Sequence, residues 1–321
     1  MARMAARTDA RVVNAATIVA THPPTLDATL VSPSSWSCAH GIERWRSNCG
    51  CRIDQQRAPA QQWRGPLRAA LTTLADACHA VFEREGGALF VDAPGNVRDQ
   101  YGDAVAYDGE ALAAFVRSAV RDASNAESVQ RARELLEMER ATLRMFTSCA
   151  WFFDDVERIE TRQVLKYAAR ALELSGIAAR AMPPFIAALE SARANTQGAP
   201  TGAEVFTRTA IPKHDAAWGV AAGAMALAAA GLRVPRIAVF DVQTDAMDGS
   251  GRRVVLHHRR TGITVALDGV VHGAGPAVRV LLRERGEAPA SARELTVADF
   301  PESVAERLLA PWALDDASLA G

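Results

Sequence analysis

LLEMERATLRMFTSCAWFFDDVERIETRQVLKYAARALEL, residues 135–174, decides the fold. Two charged amphipathic runs flank an aromatic, thiol-bearing break. The first run reaches back to Glu127 and forward to about Ser148. Leu135, Leu136, Leu143 and Phe146 form its apolar stripe, and Arg131, Arg133, Glu134, Glu137, Glu139 and Arg140 its charged side. Apolar residues three and four apart predict a helix with one face buried. The second run, Val156 to Ser175, turns Val156, Ile159, Val164, Tyr167, Ala168, Ala171 and Leu174 inward. Gly176 closes it, because glycine takes the left-handed conformation that ends a helix.

Working outward, the same spacing recurs. Gly65–Arg84 carries Leu67, Leu71, Leu74, Cys78, Val81 and Phe82 on one stripe, with Gly86-Gly87 as the stop. Gly109–Asp122, Pro184–Ala194 and Asp215–Ala230 read as further helices. Beyond Pro235 the period falls to two. Residues 237–242, 253–258, 262–267 and 277–282 are rich in β-branched side chains, and Asp248-Gly249-Ser250-Gly251 and Thr261-Gly262 mark hairpin turns. The expected class is α+β: a mainly helical, bundle-like domain followed by a small antiparallel sheet. The expected divisions are a loop-rich segment over 1–62, a helical domain over 63–232 and a β-rich region with a tail over 233–321.

The bulk composition sets limits. The chain has 321 residues, 49% hydrophobic and 23% charged, with a formal net charge of -1. So small a charge builds no field for nucleic acid or an anionic membrane, and neither is an expected partner. Five cysteines is an odd number for a disulfide framework, which points to a reducing cytoplasm. The N-terminus lacks a secretory pattern, and Ala216–Leu232 reads as a packed alanine-rich helix rather than a membrane span.

Chemistry concentrates in two places. The first is SSWSCAHGIERWRSNCGC, residues 34–51. Cys38, His40, Cys49 and Cys51 could close a tetrahedral zinc shell, although C-x-H and C-x-C are tighter than the common knuckles. Cys49 and Cys51 could instead form a small-loop disulfide, or one of them could be a reactive thiol beside Arg46 or Arg52. As a cleft wall, Trp36 and Trp45 would offer flat apolar faces, with His40, Glu43, Arg44 and Arg46 as hydrogen-bonding groups. As a plain structural loop, its cysteines would be small hydrophobes and its tryptophans core.

The second place is TSCAWFFDDVERIE, residues 147–160. Asp154 with Glu157 three residues later has the form of a capping box at the start of a helix. Glycoside chemistry needs two carboxyl groups on opposite sides of the scissile bond, and Asp154, Asp155 and Glu160 are the candidates beside Trp151. Neighbouring aspartates diverge in direction, so Asp154 and Asp155 do not suit one another as a pair. No Walker pattern, GxGxxG, G-x-S-x-G or H-E-x-x-H occurs.

Four stretches carry a resemblance: SWSCAHGIERWRSNCGC, WRGPLRAALTTL, residues 135–174 and GAEVFTRTAIP. Together they resemble the C-terminal region, domain of unknown function 3536, that follows a glycoside hydrolase family 57 type barrel in some bacterial proteins. The resemblance covers most of residues 25–285, with Ala150 where glycine is expected. It implies a carbohydrate-active lineage that acts with retention on α-linked glucans. The glutamate nucleophile and aspartate acid/base of that lineage lie on the barrel, which would precede Trp36. Only 35 residues do so here. The expectation is a chain without the catalytic pair, supporting the sugar cleft of a separately encoded barrel. The segments 36–51 and 149–160 would face that barrel. Trp36, Trp45 and Trp151 would stack on an α-glucan-like oligosaccharide, and His40, Arg44, Asp154 and Asp155 would bond its hydroxyls. No cofactor belongs to this reading. The alternatives are a zinc-binding regulatory or interaction module, and a standalone hydrolase using Asp155 and Glu160.

Overall fold

A helix with one apolar stripe is stable only where that stripe meets another surface, and this chain supplies such stripes one after another. The computed structural model describes residues 12–53, 61–106, 109–195, 198, 200–211, 216–234, 236–248 and 251–311. Asp215, Gly249 and Ser250, part of the elements expected above, lie outside the described residues. The chain divides into two units, Met1–Ile42 and Glu43–Gly321.

In the first unit, α1 (Ala15–Thr21) is capped by Asn14, whose side chain accepts from the Thr17 amide at 2.8 Å. It buries no residue. Val12, Ile18, Val19, Leu26, Leu30, Val31 and Trp36 are all exposed.

The second unit holds two cores. The first is built by α2 (Arg64–Leu89), α3 (Pro94–Ala104), α4 (Glu110–Ala119), α5 (Ala126–Arg144), the single turn α6 (Cys149–Phe152), α7 (Ile159–Ser175), α8 (Ala178–Leu189) and α9 (Gly202–Thr209). The opening stretch does form two packed helices, α5 and α7, with α6 between them. Asn125 caps α5 by accepting from the amides of Glu127 and Ser128. Gly176, at φ 71°, ends α7 as expected. Arg131 ties three elements together: it pairs with Glu85 of α2 at 2.8 Å and donates to the Leu174 carbonyl at the end of α7 at 2.8 Å.

Several boundaries differ from expectation, each for a physical reason. Helix α2 runs through Gly86-Gly87 rather than stopping there. A Cβ on Gly86 would lie 2.8 Å from the Phe90 ring, so this glycine serves close packing, not termination. Helix α3 was not anticipated, because only Val97 and Tyr101 are buried and no stripe stands out. Helix α7 begins at Ile159, and the expected capping box of Asp154 and Glu157 does not start it. Instead Asp155 Oδ1 accepts from the Glu157 amide at 2.9 Å within the preceding turn. Helix α8 begins before Pro183 and Pro184, which lie inside it. A capping box between Thr201 and Glu204 opens α9.

The second core joins α10 (Ala216–Ala229) to a five-stranded antiparallel sheet: β1 (Phe240–Ala246), β2 (Gly251–His258), β3 (Thr264–His272), β4 (Arg279–Glu284) and β5 (Arg293–Thr296), in sequence order. The α+β class is correct. Register sets Thr244, Val254 and Leu267 in one row and Val242, Leu256 and Val265 in the next, so one sheet face is apolar and lies against α10. The glycines of α10 permit close approach to the C-terminal segment: a Cβ on Gly219 would stand 2.4 Å from the Asp299 carbonyl oxygen. Strand β5 and helix α11 (Glu302–Leu309) fall where the sequence suggested only a tail. Among the described residues, no helix is long and apolar enough to cross a membrane.

Candidate metal centre

The loop from Cys38 to Cys51 winds through one short 3-10 turn, Glu43–Trp45. The Ser47 hydroxyl donates to Glu43 Oε2 at 3.0 Å, which braces that turn. Gly50, at φ 77°, supplies the left-handed residue that bends the chain between Cys49 and Cys51. The ligand atoms of Cys38, His40, Cys49 and Cys51 all lie within 4.8 Å of one another. Cys38 is buried, Cys49 and Cys51 are half-buried, and His40 is exposed. Three thiols and an imidazole are a donor set that suits zinc.

Arg44, Trp45, Arg64 and Arg68 lie against the α5–α7 junction. The Trp45 indole N–H donates to the Ser148 carbonyl at 3.1 Å. The Arg44 guanidinium sits 5.1 Å from the centre of the Phe152 ring. Arg68 stacks on Phe146 at 4.4 Å and donates to the Trp45 carbonyl at 3.4 Å. Arg64 Nη1 donates to the Cys51 carbonyl at 2.7 Å, and its guanidinium stands 3.6 Å from the Asp154 carboxylate. Burial pushes the Arg64 guanidinium below its ordinary pKa and the charge of Arg44 adds to that, while Cys49, Asp154 and Cys51 oppose it. Desolvation followed by Arg46 likewise lowers Arg68.

From Arg44 on, the first chemistry-bearing stretch therefore meets the second. The residues singled out as sugar ligands are placed very differently within them. Trp36 is 90% exposed, whereas Trp151 is 0% exposed. The Trp151 indole N–H donates to the Arg64 carbonyl at 3.3 Å, so neither ring face is open to a sugar. Trp45 is half-buried. Asp154 Oδ2 accepts from the Ile53 amide at 2.7 Å, and Asp155 Oδ2 from the Asn195 amide at 3.0 Å. Asn195 also donates its side-chain amide to the Asp154 carbonyl. Glu160 lies 3.7 Å from Arg158. Asp154 and Asp155 hold loops together.

Sequence reasoning missed Arg64, Arg68 and Asn195. One signal was present: an arginine in the first turn of a helix opposes the helix dipole and needs a local anion to offset it.

A family model described as a domain of unknown function, DUF3536, matches residues 60–252. It spans the helical core and reaches the first hairpin, while Cys38 to Cys51 precede the matched stretch. Neither the curated proteins nor the solved structures yielded a match. On the extent of the family match, the chain belongs to the DUF3536 family.

Proposed function

We propose that the chain is a zinc-organised helical and β domain, without catalysis of its own, that supports the sugar cleft of a carbohydrate-active barrel outside this sequence. The observation that carries the metal is the gathering of four soft ligand atoms within 4.8 Å. Zn–S bonds of about 2.3 Å set tetrahedral neighbours roughly 3.8 Å apart, so the cluster needs only a contraction of about 1 Å. Four protein ligands fill the coordination shell, which is the pattern of a structural rather than a catalytic ion. Cys38, His40, Cys49 and Cys51 would hold it, and a reducing cytoplasm would keep the thiols available. The orphaned guanidinium nitrogens of buried Arg64 favour a negatively charged centre beside them.

The supporting role draws on two observations. Asp154 and Asp155 accept backbone amides, and Glu160 sits beside Arg158, which favours a chain without a carboxylate pair. Leu26, Leu30, Val31 and Trp36 expose apolar surface of the kind a partner covers.

Elemental analysis of the purified chain should find about one equivalent of zinc, and Cys49→Ser should lose it. A metal-free wild type that is folded and unaffected by chelator rejects the reading. The zinc-loaded chain should release no reducing sugar from maltooligosaccharides. Release that disappears in Asp155→Asn would restore the standalone hydrolase.

A further inference from the structure

Zinc held by three thiolates and one imidazole is an anion: two positive charges against three negative ones leave a net charge of -1. A partly buried centre of that charge is stabilised by a cation nearby. Resting on the zinc reading, we propose that Arg64 is the buried counter-cation of the metal–thiolate centre, a positioning residue that sets metal affinity without being a ligand.

Arg64 is 0% exposed, and its Nε and Nη2 have no hydrogen-bond partner. Its Nη1 reaches the Cys51 carbonyl at 2.7 Å, which anchors the guanidinium against the ligand loop itself. Arg44, 4% exposed, also leaves its Nε without a partner. A buried guanidinium with unmade bonds is costly. Arg64 also opens α2, where the aligned peptide dipoles add positive potential. The Asp154 carboxylate stands 3.6 Å from Arg64, and the Arg44 guanidinium is close enough to oppose the Arg64 charge.

An outer partner of this kind typically changes metal affinity by about 10–100-fold. The full chain can be titrated with Co²⁺ as a spectroscopic probe, followed by zinc displacement against a chelator. Arg64→Met should keep the thiolate–cobalt charge-transfer band, because no ligand is lost, and should bind cobalt and zinc about 10–100-fold more weakly. Arg64→Lys should recover most of that loss, and Arg44→Met should show a smaller one. Wild-type affinity in Arg64→Met overturns the inference, and so does an Arg64→Lys variant as weak as Arg64→Met. If circular dichroism shows Arg64→Met unfolded, Arg44→Met decides, and unchanged affinity there rejects the proposal. A folded wild type that binds neither metal removes the zinc reading, and this inference falls with it.

Discussion

Trp151 shows how far a single residue can be read from its neighbours in sequence. An indole followed by two phenylalanines and two aspartates suits a sugar cleft and a buried junction equally well. What decides between them is Arg64, 87 positions away, whose carbonyl accepts the indole N–H. The carboxylates tell the same story, since the Asn195 amide that holds Asp155 is 40 positions distant. The four residues of the candidate metal site were legible because they lie within one short stretch, where spacing limits geometry. Trp151→Ala should leave a large cavity and cost about 3–5 kcal/mol of stability. Guanidinium unfolding monitored by far-ultraviolet circular dichroism measures this, and a loss below about 1 kcal/mol would show the ring to be poorly packed.

Helices and strands were legible where their stripes were long. Both α5 and α7 bury leucine-rich faces, but Glu137 and Glu139, read as part of the charged side of α5, are buried, and Leu143 and Ile159, read as part of the apolar stripes, are exposed. Short or weakly patterned elements escaped: α3 buries two residues, and β5 has four residues with only Leu295 buried. The paired glycines of α2 were misread because glycine has two uses in a helix, ending it or letting a neighbour approach. The two positions should now behave oppositely. On Gly86 an added methyl meets the buried Phe90 ring at 2.8 Å and Pro94 at 3.2 Å, whereas on Gly87 nothing lies within 4 Å. Gly86→Ala should therefore lose about 1–3 kcal/mol through overpacking. Gly87→Ala should gain up to about 1 kcal/mol from helix propensity. Urea midpoints of the two variants give the signs directly, and equal shifts would refute the packing argument.

At the scale of the molecule, the change of period near Pro235 disclosed the sheet, but not how its core meets the helical one. That meeting uses long polar side chains. Arg260 donates to the Val105 carbonyl at 3.1 Å, and Arg170 reaches His258 Nε2 at 3.5 Å. His258 Nδ1 accepts from the Thr261 amide at 3.0 Å, and its ring stands edge-on to Phe240. Burial, and then the charge of Arg170, push the His258 ring down to about 4. The fold thus holds this ring neutral. An unfolded chain takes up its proton near the ordinary value of about 6.5, so this contribution to stability is full above about 6.5 and is lost as pH falls toward 4. His79 behaves the other way. Its hydrogen bond to the buried Glu139, at 2.6 Å, raises its pKa, so its contribution is full below the ordinary value and fades as pH rises through the raised one. Proton–carbon correlation spectra recorded across pH should place the His258 midpoint well below that of His79, and coincident midpoints would contradict both environments. The strand order adds something about biosynthesis. Each strand of the sheet bonds to the one made just before it, with α10 ahead of them all. As the chain leaves the ribosome, every hairpin therefore finds its template already waiting, and the sheet can zip up at the pace of translation without pausing for a distant segment.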